Sequence, residues 1–283
     1  MSALEIRAAG EAYLVFEREG GRCLGGVGWN WYRPWLFPLY TPGGQSVLQE
    51  FPSDHPFHNG CFVGQYPVRF PGGEANFRAV PPPRSPGDEI FVRLARIETD
   101  PALRFEVCER GARIALRCFS RDDSDTPVLN EERRFDFQLV EGAMTCDLAS
   151  RKVGAYGALE FPATEFGGIG VRVDRRLAPD FGAALLAEGG RGRAALVHGR
   201  PSRYVAYESG AEPRFGLALA GDDPALAWFV RDYGLALWNP TGQRAIALAH
   251  GEVREVSLRV VPYDGALDEN RAATWFSSRR RRA

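Results

Sequence analysis

Apolar and polar residues alternate along much of this chain with a period of two, the period of a strand that buries one face and wets the other. Phe135, Phe137 and Leu139 fall on one side, Glu141-Gly142 offers a turn, and Met144, Cys146 and Leu148 resume the alternation, which predicts a hairpin. The same period recurs at Ile90, Val92 and Leu94, and at Phe105 and Val107. After Arg110-Gly111 it continues through Ile114, Leu116 and Cys118 to a turn at Asp122-Asp123, and Val256, Leu258 and Val260 repeat it near the end. One short helix is expected near 266–276, after Asp264-Gly265, where Leu267, Arg271 and Trp275 share a stripe. Strands therefore dominate the predicted elements.

Glycine (32) and proline (20) break the apolar runs at short intervals, as turns between strands require. They crowd between residues 67 and 88, where Pro67, Pro71, Gly72-Gly73, Pro81-Pro82-Pro83, Pro86 and Gly87 resist both helix and central strand. That stretch reads as a surface loop, with closure over a cleft as one use of it. A linker between two domains fits less well, because both flanks read as the same kind of sheet protein. Large β-sandwiches commonly use 283 residues as one unit, so a single domain over 1–283 is expected.

Composition narrows the partners. Apolar residues make up 45% and charged residues 25%, enough for a sizeable core. The 35 basic and 36 acidic side chains leave a net charge of −1, which gives no long-range pull on polyanions, so nucleic acid is not an expected partner. The basic tail at 279–283 reads as solvated. No N-terminal segment has the basic start and apolar core of a leader, and no apolar run approaches the roughly 20 residues needed to span a bilayer. Five cysteines, odd in number and without Cys-x-x-Cys, argue against a disulfide framework or structural zinc, and a reducing cytoplasm is the expected location.

The densest chemistry lies in residues 33–65, RPWLFPLYTPGGQSVLQEFPSDHPFHNGCFVGQ, which hold two of the four histidines. His55 and His58 are able to divide acid and base roles, to bind a divalent metal with Asp54, or to hold a carbonyl-bearing substrate, and the bland alternative is a structural pair in a Pro-flanked loop. Acid–base work is preferred over a metal site, since only His198 and His250 remain as further imidazoles. No metal and no cofactor are expected. Arg172 and Arg231 read either as ion-paired strand residues or as bidentate ligands of a carboxylate or vicinal hydroxyls, with Asp232 serving either purpose. Glu131 reads as a solvent-facing strand residue or a general base. Trp29, Trp31, Trp35 and Trp228 read as core or as a wall for a sugar ring.

RPWLFPLYTPGG followed by FPSDHPFHNG resembles the pattern R-P-y-x-x-P-x-x-t-P-x-G … P-x-D-H-p-H-H-R-G of the family named methane oxygenase PmoA. Asn130-Glu131-Glu132-Arg133, residues 164–173 (TEFGGIGVRV) and residues 228–239 (WFVRDYGLALWN) resemble further segments of it in order, so the likeness spans nearly the whole chain. The resemblance implies a large antiparallel β-supersandwich of the galactose-mutarotase-like kind, similar to aldose epimerases and other carbohydrate-active proteins. Without apolar spans, the oxygenase name reads as a misnomer. Phe57, Asn59 and Glu165-Phe166 depart from the pattern, while Asp54, His55, His58, Glu131, Arg172, Arg231 and Asp232 follow it.

The reading that results is an enzyme that epimerises, isomerises or eliminates on a sugar-like small molecule. His55, His58 and Glu131 are its catalytic groups, and Asp54, Asn59, Glu165, Arg172, Arg231 and Asp232 contact the substrate. The alternatives are a non-catalytic carbohydrate-binding protein, motivated by the departures, and a metal-dependent oxygenase-type centre at Asp54, His55 and His58. The oligomeric state is not legible.

Overall fold

A computed structural model describes residues 3–78, 95–108, 111–140 and 143–277. The expected strand at Ile90, Val92 and Leu94, the turns at Glu141-Gly142 and Arg110, the basic tail and residues 79–88 of the Pro-rich stretch lie outside these residues. Strands dominate as predicted, and every pairing between them is antiparallel. One α-helix, Glu269–Ser277, ends the described chain. Its Trp275 is buried and Arg271 lies over that ring, so the expected stripe forms, with Leu267 just ahead of the helix.

The predicted alternation sets which side chains go inside. In the strand Pro127–Val140, Leu129, Glu131, Arg133, Phe135 and Phe137 face one way and are all buried. This strand pairs with Ala143–Val153 in the register Phe135↔Leu148 and Phe137↔Cys146, the hairpin read from sequence. On its other side it meets Gly111–Arg121, which buries Ile114, Leu116 and Cys118. With Arg96–Cys108, Val253–Asp264, Phe215–Gly221, Val205–Glu208, Ala184–Ala187 and Gly190–Gly192 they make a sheet of nine strands.

A second sheet of eight runs in the order Leu4–Ala8, Ala12–Glu17, Cys23–Trp29, Pro34–Leu39, Cys61–Gln65, Gly167–Arg172, Leu235–Trp238 and Phe229–Arg231. One apolar cluster joins the two sheets, with Leu36, Val63 and Val171 from the eight and Phe137, Leu148 and Leu219 from the nine. The Trp238 indole donates across the gap to Asp222 at 2.9 Å. A smaller sheet of four contains Val68–Phe70 and Gly73–Ala75 as a hairpin. Within the Pro-rich stretch the described part is thus partly strand: Pro67 and Pro71 flank Val68–Phe70 rather than interrupt it, so no ladder donor is lost.

Among the described residues no helix is long and apolar enough to cross a membrane. The described free cysteines, Cys23, Cys61, Cys118 and Cys146, are packed as small apolar groups, three of them buried.

Candidate functional site

The outer face of the eight-stranded sheet carries the polar cluster. Because Cys61 and Val63 point into the core, Phe62 between them points outward, and the ladder aligns Trp35, Phe62, Gly170, Leu237 and Phe229 in one row across the strands. Arg172, Leu235 and Arg231 form the next row along. Gly170 makes the first row possible: a Cβ there would sit 2.5 Å from the Phe62 ring.

Residues 49–60 fold over this face. Arg172 N donates to Gly60 O at 2.8 Å and Gln49 N to Arg172 O at 3.0 Å, which pins both ends of the loop to one strand residue. Gly60 has φ +52, and an added Cβ would run into the Leu36 carbonyl oxygen, so only glycine turns the chain here. Two further turns, His55 N to Pro52 O and His58 N to His55 O, bring the histidines together.

The result is a column of four rings. Tyr233 stacks on His55 with centroids 5.0 Å apart, His55 on His58 at 4.7 Å, and His58 on Phe62 at 5.5 Å, all within 15° of parallel. Phe57 closes the side edge-on to both histidines. His55 Nδ1 lies 2.9 Å from Asp54 Oδ2, and both oxygens of Asp54 accept from Arg172 Nη2 at 2.9 Å. The Arg172 guanidinium also lies over the Tyr233 ring, 4.8 Å from its centroid.

Electrostatics separates the two histidines. Burial pushes the His58 imidazole down to about 2, and the positive charges of Arg78, His55, Arg172 and Arg33 push the same way, so the ring is neutral. Both of its nitrogens are buried without a partner. His55 sits at the mouth with about a third of its side chain exposed. Partial burial raises the Asp54 carboxyl, but hydrogen bonds from His55 and Arg172 and the Arg172 charge outweigh it, and the carboxyl lies below its ordinary value. Burial lifts the Tyr233 phenol against the pull of Arg172, Arg231 and Arg78, so it stays protonated at neutral pH.

Of the other residues expected here, some join the cluster and some do not. Arg231 lies at the rim, its guanidinium 3.8 Å from the Phe229 centroid, 3.7 Å from Glu165 and within hydrogen-bond reach of His198. Asn59 is buried behind the loop, its Oδ1 unpartnered. Asp232 faces away: it accepts from Ala194 N at 2.7 Å and Arg193 Nε at 3.1 Å, capping a 3-10 turn.

Glu131 requires a correction. It belongs to the inward row of its strand, between the sheets, where it accepts from Arg133 Nε at 2.9 Å and Nη2 at 3.0 Å and from Ser150 at 2.6 Å. Arg133 in turn donates to Pro34 O, on the core side of the eight-stranded sheet. Burial alone would raise the Glu131 carboxyl, but Arg133 and Lys152 carry it down to about 2. The sheet stands between it and His55, so it is neither the solvent-facing residue nor the base anticipated. Trp228 is core, its ring 4.8 Å from that of Trp238 and tilted 49° to it, and Trp31 is exposed.

The sequence reading missed Arg33, Arg78 and Tyr233. Arg78 hides at the edge of the Pro-rich stretch, and its guanidinium lies 4.9 Å from the Phe166 centroid. Arg33 is fully buried, over Phe62 at 4.3 Å, and donates to Phe57 O and Arg78 O. Tyr233 stands inside the quoted segment 228–239, and its aromatic type beside Arg231-Asp232 was the available signal. Among the described residues no three His, Cys, Asp or Glu side chains group to hold a metal ion. A cleft of about 570 Å³ lies elsewhere, against the C-terminal helix at Tyr204, Asp222 and Phe276.

Comparison with solved structures finds similar chains of low identity. A galactose 1-epimerase from Lactobacillus acidophilus NCFM is 12% identical, with a TM-score of 0.44, over 93% of this chain and 98% of that one. A GH36 α-galactosidase from Geobacillus stearothermophilus is 11% identical, with a TM-score of 0.48, over 93% of this chain and 41% of that one. A galactose mutarotase related enzyme from Lactobacillus acidophilus is 7% identical, with a TM-score of 0.40, over 94% and 98%. No curated protein matches the sequence. A family model does, and it covers nearly all the strands described above together with the ring column, its loop and the C-terminal helix. Residues 27–277 match the model of the family of unknown function DUF6807, so the chain belongs to that family.

Proposed function

We propose that the protein is an enzyme that moves a proton on an oxygen-rich, sugar-like small molecule, with His55 as the acid–base group. The observation that carries this reading is the chain Arg172–Asp54–His55. A buried arginine fixes a carboxylate, and the carboxylate fixes one nitrogen of a half-open imidazole, which leaves the other nitrogen directed by the ring stack. Tyr233, held protonated beside His55, is the second proton donor. His58 serves as a neutral floor under His55, and Glu131 has no part in the chemistry. A base and an acid side by side suit epimerisation, isomerisation or elimination next to a carbonyl or acetal carbon. Glu165 and Arg231 form the rim, and the exposed Phe166 offers an apolar surface for a ring face.

The test is turnover of a panel of sugars, keto-sugars and sugar acids, followed by proton exchange into the product from deuterated water. His55→Ala is expected to lower the rate by about 10² to 10⁴ with the fold retained. Unchanged turnover in folded His55→Ala would remove His55 from the mechanism. Saturable binding without product over long incubation would favour the non-catalytic carbohydrate-binding reading.

A further inference from the structure

Four guanidinium groups surround the ring column: Arg33, Arg78, Arg172 and Arg231. Two carboxylates answer them directly, Asp54 on Arg172 and Glu165 on Arg231. Among the described residues neither Arg33 nor Arg78 has a carboxylate within ion-pair distance, and Tyr32, which lies by Arg33, is kept protonated by burial. Arg78 and Arg172 are only 8% and 5% exposed, yet Arg78 Nε and Arg172 Nε and Nη1 are buried without a hydrogen-bond partner. The ring column links them: Arg172 lies over Tyr233 at one end, and Arg78 O accepts from Arg33, whose guanidinium lies over Phe62 at the other. Both nitrogens of His58, in the middle of that column, are likewise without a partner.

Buried cations with unmet donors are unfavourable unless something supplies acceptor oxygens and negative charge. The two lone guanidiniums are moreover packed in place: Arg33 donates to the carbonyls of Phe57 and Arg78, and Arg78 lies over the Phe166 ring. A planar carboxylate matches such forked donors better than a neutral hydroxyl does, because charge-assisted hydrogen bonds are roughly twice as strong as neutral ones.

We infer that the site takes an acidic sugar, a uronate- or aldonate-like molecule whose carboxylate is held by Arg78 and Arg172 beside the ring column while its reacting carbon faces His55. This rests on the acid–base reading of the same site for the position of the reacting carbon, but not for the anion preference itself. The experiment is titration calorimetry with D-galacturonate, its neutral counterpart D-galactose, and D-galactose 6-phosphate, at low and high salt. Galacturonate is expected to bind about tenfold or more tightly than galactose, as one added charge-assisted contact implies. The difference should shrink as salt screens it. Arg78→Gln should erase the preference and Arg78→Lys keep part of it. The salt dependence of the unaltered protein needs no variant and stands if Arg78→Gln fails to fold. Equal affinity for acid and neutral sugar, tighter binding of the phosphate ester than of the uronate, or binding of none of the three would overturn the inference. An acid preference that persists in His55→Ala while turnover is undiminished would sink the acid–base reading and leave the anion site standing.

Discussion

His55 and His58 lie face to face, 4.7 Å between ring centroids and 5° from parallel, yet they occupy opposite electrostatic worlds. One stands at the mouth on a carboxylate; the other is sealed beneath it among cations. A motif of two histidines three residues apart therefore yields one candidate for proton transfer and one supporting ring.

His58 should make stability fall with acid. Its folded value of about 2 lies below the ordinary 6.5, so the unfolded chain takes up the proton first. The stabilisation is complete above pH 6.5 and is lost as pH falls toward 2, by up to about 1.4 kcal/mol per pH unit. Glu131, also held low, enters only below its ordinary 4.5, so it does not contribute in the window from 6.5 to 5. Denaturant melts across that window should show the slope, and His58→Phe, which keeps the stack, should flatten it. An NMR titration that finds His58 protonating near pH 6 would contradict the buried, cation-flanked placement.

Glu131 should matter for stability and not for chemistry. Glu131→Gln leaves Arg133 and Lys152 without their counter-charge between the sheets, and a loss of about 3–5 kcal/mol is expected from chemical denaturation. Glu131→Leu combined with Arg133→Met should recover most of it. A folded Glu131→Gln protein of normal stability but no turnover would restore Glu131 to the mechanism.

Gly60 should tolerate no side chain. Gly60→Ala combines a left-handed φ with a collision against the Leu36 carbonyl, and should destabilise the protein by at least about 1–2 kcal/mol. Because the same residue anchors the loop to Arg172, the His55 ring resonances should shift as well. Alanine accepted with unchanged melting and spectra would show that the loop turns some other way.

Thiol labelling should be selective. Burial raises the thiols of Cys61, Cys118 and Cys146, strongly in Cys146, whereas Cys23 is only half-buried. Iodoacetamide on the native protein should leave those three unmodified and reach them after unfolding. Rapid native modification of Cys61 would mean that the strand under the site opens.

The sheet class was legible because alternation is a local signal: the positions at 114, 116, 118, 135, 137, 146, 148, 256, 258 and 260 are all buried. For Glu131 and its partner Arg133 the residue type pointed against the rule. They occupy inward positions, but charge suggested exposure, and sequence does not show that a buried carboxylate has its arginine two residues away on the same face. The short hairpin at Val68–Phe70 was hidden because proline at a strand end looks, in sequence, like proline within a strand. At the site, Asp54, His55, His58 and Arg172 stood out as chemistry-bearing types, whereas Arg78 and Arg33 gave no local sign. Their significance depends on what they lack, a carboxylate neighbour, which is a property of space.

Residues 61–63 and 169–172 each serve two compartments, every second position facing the ring column and the intervening ones filling the interior. Loss or gain of a single residue in either strand would exchange the compartments, turning Arg172 inward and Val171 out. The outward face can thus be varied by point replacement at a rim position such as Arg231, but the length of these strands is locked by the interior they share.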